Sequence, residues 1–349
     1  MEYKLSEIEN KRIWGRCSSL DDCTALFWTG SGIEVNVKAG YLYADIEATF
    51  GTLELWLDVF IDDARIMHFP LMEGRHRYQI MRGFDKAHAT NVRIARSTQS
   101  MMEECASVIK IFSFDTDGEF LPVTKRKYSL EFVGDSITSG EGAFALTREE
   151  WIPTVFDSVN TYAYMTAKML DADYSILSQS GQGLFASWDG STECSLPKVY
   201  PYVCAAQIAE DAKKLGCMDS WNFTDNEKDA VIINLGTNDS SAMKLDKWSE
   251  DEFLQNFRTC GIDFLEAVRK NNPKSKIIWA YGMLGNDMEE YVSEIIDTFN
   301  AENDDNVVYL RLPDCTGIHV SARLHPDPEG HRIAAEVLSD CLGKLLPQT

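Results

Sequence analysis

Four short polar segments beyond residue 130 of this 349-residue chain carry groups suited to acyl chemistry. The first is Gly134-Asp135-Ser136, which closes the apolar run YSLEFVG and is followed by ITSGEG. A serine hydroxyl is a weak nucleophile until a base removes its proton, and a serine after a strand is equally an ordinary helix cap. The second is Ser178-Gln179-Ser180-Gly181-Gln182-Gly183. Its glycines permit close backbone approach, so an amide N–H could face a developing oxyanion, or the segment is a plain turn. The third is Leu235-Gly236-Thr237-Asn238-Asp239, where an Asn amide could donate to the same oxyanion. The fourth is Leu324-His325-Pro326-Asp327, in which His325 could be the general base. His331 falls inside the following helical pattern and reads as a packing or capping residue, and His319 is a weaker candidate base. His68, His76 and His88 lie far away in the first third of the chain, without matching partners.

Each segment follows a different strand candidate. Continuous apolar runs at 128–134, 174–178, 230–236, 276–282 and 306–312 suit strands covered on both faces. Helical periodicity occupies 161–170, 198–215, 251–270, 289–301 and 329–346. This alternation predicts a parallel three-layer α/β/α domain over 128–349, with its site at the carboxyl ends of the strands. Residues 1–120 read differently. Eight short segments rich in β-branched and aromatic residues (25–28, 33–37, 41–48, 53–60, 65–69, 77–81, 91–95 and 108–112) predict a β-sandwich or jelly roll. DTDGEFLPVTKRK, near 115–127, reads as the linker.

The formal charge of −22 disfavours nucleic acid and acidic membrane surfaces as partners. Nine cysteines at irregular spacing, without a CxxC pair, argue against a disulfide framework and against a zinc site. The opening MEYKLSEIENKRIW has no apolar core of a signal peptide, and no run approaches the ~18 residues that cross a bilayer. The expectation is a cytoplasmic protein with reduced thiols that needs no metal or cofactor. Oligomeric state is not legible.

Taken in order at one sheet edge, GDSIT, SGQG, LGTND and HP closely resemble the four blocks of the SGNH/GDSL hydrolase superfamily. The resemblance implies Ser136 as nucleophile and His325 as base, with an oxyanion hole made by Ser136, Gly181 and Asn238; Gly183 is an alternative to Gly181. The usual Asp three residues before the His is absent, because Ala322 stands there. Either a backbone carbonyl serves His325 as a Ser–His dyad, which is the preferred reading, or a carboxylate such as Asp327 or Asp314 completes a triad. The two-domain layout resembles family 2 carbohydrate esterases. That implies deacetylation of plant polysaccharides or oligosaccharides (xylan, mannan, glucomannan), with Trp188 and Tyr281 the first candidates for sugar contact among Trp151, Trp188, Trp279 and Tyr281. The competing readings are an SGNH lipase or thioesterase, and a non-catalytic carbohydrate-binding protein.

Overall fold

The computed structural model describes residues 1–147, 149–303 and 307–347. The chain forms two compact units. One comprises Met1–Lys125, Ile152–Thr154 and Tyr202–Ser220; the other comprises Arg126–Trp151, Val155–Pro201 and Trp221–Thr349.

The first unit is a sandwich of two antiparallel sheets. One sheet runs Cys17–Ser19, Thr24–Leu26, Val108–Thr116, Tyr41–Thr49, Gly74–Arg82, with Glu2–Lys4 also on Val108–Thr116. The other runs Glu119–Leu121, Gly32–Lys38, Thr90–Arg96, Trp56–Ile61, Ala64–Pro70, with Lys11–Trp14 also on Gly32–Lys38. Strict alternation sets the inner face of Tyr41–Thr49, where Leu42, Ala44, Ile46 and Ala48 are buried. They meet Val35, Val37, Val92 and Ile94 of the opposite sheet in one core. Glu2–Lys4, Lys11–Trp14, Cys17–Ser19 and Glu119–Leu121 lie outside the eight expected strands. At three or four residues each, they are too short to show a period of two. The expected linker over 115–127 needs correction, because its first half finishes one strand and forms Glu119–Leu121, paired to Gly32–Lys38.

The second unit is built on a five-stranded parallel sheet in the order Ala172–Ser178, Tyr128–Gly134, Ala230–Asn234, Lys276–Tyr281, Val307–Arg311. The chain steps one way from its first strand to the second and the other way to the third. With right-handed crossovers this reversal puts helices on both faces and opens a crevice at the strand ends. Tyr162–Met169 packs with Pro328–Leu345, and Glu250–Asn271 with Glu289–Glu302. Three of these four helices start from a side-chain cap: Thr161 accepts from the Tyr164 N–H, Asp327 from that of Gly330, and Ser249 from that of Glu252.

The helix expected over 198–215 does not form. Only Leu196–Val199 and Glu210–Lys214 are helical. Pro201 lacks the N–H that would continue the first piece, and Val203 and Cys204 donate instead to the carbonyls of Asp219 and Cys217. Among the described residues, no helix is long and apolar enough to cross a membrane.

Candidate active site

Register places the site. Gly134 pairs with Ser178 on one side and Asn234 on the other, so three strands end level. The segments carrying Ser136, Gly181 and Asn238 therefore leave the sheet side by side. After the first strand, Asp135 caps the short helix Ser136–Ser139, its Oδ1 accepting from the Ile137 N–H at 3.0 Å. This cap fixes the turn and leaves Ser136 7% exposed.

His325 reaches the serine from 189 positions away: its Nε2 lies 2.8 Å from Ser136 Oγ. The other ring nitrogen, Nδ1, lies 2.9 Å from the backbone carbonyl of Arg323. An Nδ1–H donated to that carbonyl fixes the tautomer whose Nε2 lone pair faces the hydroxyl. Neither carboxylate proposed from the sequence is at the ring. Asp327 caps its helix at the Gly330 N–H, 2.8 Å away, and Asp314 accepts from the N–H and hydroxyl of Thr316.

The carboxylate that does approach is Glu141, which sequence reasoning missed. It is 2% exposed, with Oε1 3.8 Å from His325 Nδ1 and 2.7 Å from Arg323 Nε. Its Oε2 accepts from Ser180 Oγ at 2.7 Å and from Trp151 Nε1 at 3.3 Å. Nothing local marks it, since its partners lie 10, 39 and 182 positions away.

Asn238 Nδ2 donates to the Gln182 carbonyl at 2.9 Å and points its other proton toward Asp135 Oδ2, 3.3 Å away. Burial pushes the Asp135 carboxyl up to about 7, aided by the charges of Asp239 and Glu141. Asp239 holds the neighbouring loop by accepting from the N–H groups of Leu184, Phe185 and Ala186.

Ser136, Glu141, Trp151, Ser180, Gly181, Trp188, Asn238, Leu284, Arg323 and His325 are among the residues lining one cleft of about 460 Å³. Gly181 adopts φ +79°, and a Cβ there would lie 2.8 Å from the Trp188 indole, so both backbone and packing require glycine. The Trp188 ring, 63% exposed, stands over this turn. At Gly183, the alternative donor, a Cβ would come within 2.2 Å of the Ala186 carbonyl and 2.5 Å of Asp239 Oδ2. Tyr281 is a correction: it is 1% exposed, its ring against Gly236 and its hydroxyl bonded to the Met288 backbone, and offers no face to a ligand. Trp279 is likewise buried, its Nε1 donating to the Leu235 carbonyl. His331 is buried and neutral, its Nδ1 accepting from the Tyr162 N–H, and burial pulls its pKa down to about 3. His319 stands beside Asp327, away from the serine. Among the described residues no cluster of ligating side chains could hold a metal.

Known proteins are similar to this chain in sequence and fold. A solved structure of an acetyl xylan esterase from the rumen bacterium Butyrivibrio proteoclasticus superposes with a TM-score of 0.94 at 33% identity, each chain 99% covered. An acetylxylan esterase / glucomannan deacetylase of Cellvibrio japonicus is 24% identical over 356 residues, covering 96% of this chain and 88% of that relative. A cellulase/esterase of Acetivibrio thermocellus is 25% identical over 321 residues; the match takes in 89% of this chain but 36% of that longer relative. The family description of GDSL-like lipases and acylhydrolases fits residues 130–338, more than half of the chain. With the serine, glycine, asparagine and histidine segments meeting at one sheet edge, and with this match in sequence and fold, the chain belongs to the GDSL-like lipase/acylhydrolase family.

Proposed function

We propose that this chain is a serine esterase that removes O-acetyl groups from plant-type polysaccharides or oligosaccharides such as xylan, mannan or glucomannan. The observation that carries the chemistry is the 2.8 Å approach of His325 Nε2 to Ser136 Oγ. The substrate class rests on the esterase names of the relatives and on the exposed Trp188 ring in the cleft that Ser136 lines, since an indole face suits the apolar face of a sugar.

Ser136 attacks the acetyl carbonyl while His325 takes its proton. Arg323 C=O accepts from Nδ1–H and holds the ring through the transfer, so a dyad suffices. The N–H groups of Ser136 and Gly181 and the amide of Asn238 receive the oxyanion. The Gln182 carbonyl orients that amide by keeping one of its two protons, and the other turns from Asp135 Oδ2, 3.3 Å away, to the oxyanion as it forms. His325 then protonates the departing sugar hydroxyl, and water repeats the sequence on the acetyl-enzyme.

Acetate release from acetylated xylo-, manno- and gluco-oligosaccharides, with Ser136→Ala as control, tests the reading. Release by the wild-type chain and none by the variant is expected. A rate that stays level or rises from acetyl to octanoyl esters would instead favour a lipase or thioesterase.

A further inference from the structure

The carbonyl that serves His325 belongs to a strained turn. Arg323 and Leu324, neither a glycine, have φ +53° and +60°. Side chains resist this left-handed region, so consecutive residues persist there only where neighbours hold them. Two contacts do so. Arg323 is tied at both ends of its guanidinium: Nε donates to Glu141 Oε1 at 2.7 Å, and one terminal nitrogen donates to the Glu149 carbonyl at 3.1 Å. The turn also lies flush on Gly142, where a Cβ would come within 2.7 Å of His325 Cβ and 3.2 Å of the Ala322 carbonyl. Glu141 is itself anchored, since its N–H donates to the Ser136 carbonyl at 3.0 Å. A continuous path therefore runs from the serine's backbone through Glu141 and Arg323 to the imidazole.

Resting on the esterase reading above, we propose that Glu141 and Arg323 form a positioning pair that stands in for the missing triad carboxylate. Glu141 acts on His325 through Arg323. The ion pair holds the left-handed turn, and the turn aims the Arg323 carbonyl at Nδ1. Oε1 lies 3.8 Å from Nδ1, beyond hydrogen-bond reach, while the carbonyl stands at 2.9 Å. The carboxylate is thus spent on the guanidinium, and the carbonyl does the orienting.

The pair is tested by kcat and KM of Arg323→Ala, Glu141→Ala, Glu141→Gln and the Arg323→Ala/Glu141→Ala double variant on one acetyl ester. Thermal melts are read alongside. Arg323→Ala and Glu141→Ala should each lower kcat by about tenfold to a hundredfold with KM nearly unchanged, because a loosened base is misplaced by a fraction of an ångström. The double variant should lose no more than the worse single one, as one path is broken once. Glu141→Gln, whose amide oxygen still accepts from Arg323, should stay within about fivefold of wild type.

Three results would overturn the proposal: Arg323→Ala with unchanged kcat, a loss confined to KM, or Glu141→Gln falling as far as Glu141→Ala. The last would mean that the charge acts directly on the imidazolium. Should Glu141→Ala fail to fold, Arg323→Ala still decides, since that side chain is 39% exposed. Ser136→Ala run in parallel separates failure of this pair from failure of the esterase reading: only in the latter is wild type no faster than Ser136→Ala.

Discussion

At the scale of single residues, the proposed chemistry needs one nucleophile, one base and a set of donors, and each has a distinct expected cost. Ser136→Ala and His325→Ala should each lower kcat on acetyl esters at least about a thousandfold with circular dichroism unchanged, because each removes half of one proton-transfer unit. Retained activity in either variant would remove the assignment. Asn238→Ala should cost on the order of 10²–10³ in kcat through loss of an oxyanion donor. That Ser136, Gly181, Asn238 and His325 meet in one cleft was legible because each follows a strand in the order the chemistry needs. Glu141 was not, since one carboxylate among 55 acidic residues gains meaning only when folding brings Ser180, Trp151 and Arg323 to it. Tyr281 misled because its strand, KIIWAY, is buried along nearly its whole length, so sequence could not tell the cleft side from the core.

At the scale of elements, strands set register and caps set helix starts, and the two are separable by mutation. Asp327 caps Pro328–Leu345 and is not bonded to His325. Asp327→Ala should therefore lower stability by about 1 kcal/mol in chemical denaturation, while kcat falls less than tenfold. A loss of activity equal to that of His325→Ala would mean that Asp327 does serve the histidine. Gly142 is the opposite case. With φ +79° and no room beside His325, Gly142→Ala should lower kcat by about a hundredfold by displacing the base. The parallel sheet and its long helices were legible from apolar runs and periodicity. The stretch 198–215 was not, because its helical spacing is overridden by Pro201 and by loop pairing with Asp219 and Cys217.

At the scale of the whole molecule, folding buries ionisable groups that the unfolded chain exposes, and stability follows pH accordingly. His331 is held neutral, its pKa lowered from 6.5 to about 3 by burial. The unfolded chain therefore binds one more proton than the native one between these values, so stability falls as pH drops from about 6.5 toward 3, by at most about 1.4 kcal/mol per pH unit from this group. Asp135, raised to about 7, works in the other direction, with its contribution lost as pH rises from about 4 to 7. Urea melts of His331→Gln should show a shallower acid-side decline than wild type; an unchanged slope would mean that the ring is protonated in the fold.

The role of Ser136 is open to one direct measurement: peptide mapping after reaction with a phosphonofluoridate, which bonds covalently to an activated serine hydroxyl. One label per chain on the Ser136 peptide, appearing in step with loss of esterase activity and about a thousandfold more slowly in His325→Ala, is the expected result. Complete inactivation with the label on another residue, or labelling of Ser136 at full speed without His325, would contradict a hydroxyl activated by the imidazole 2.8 Å away.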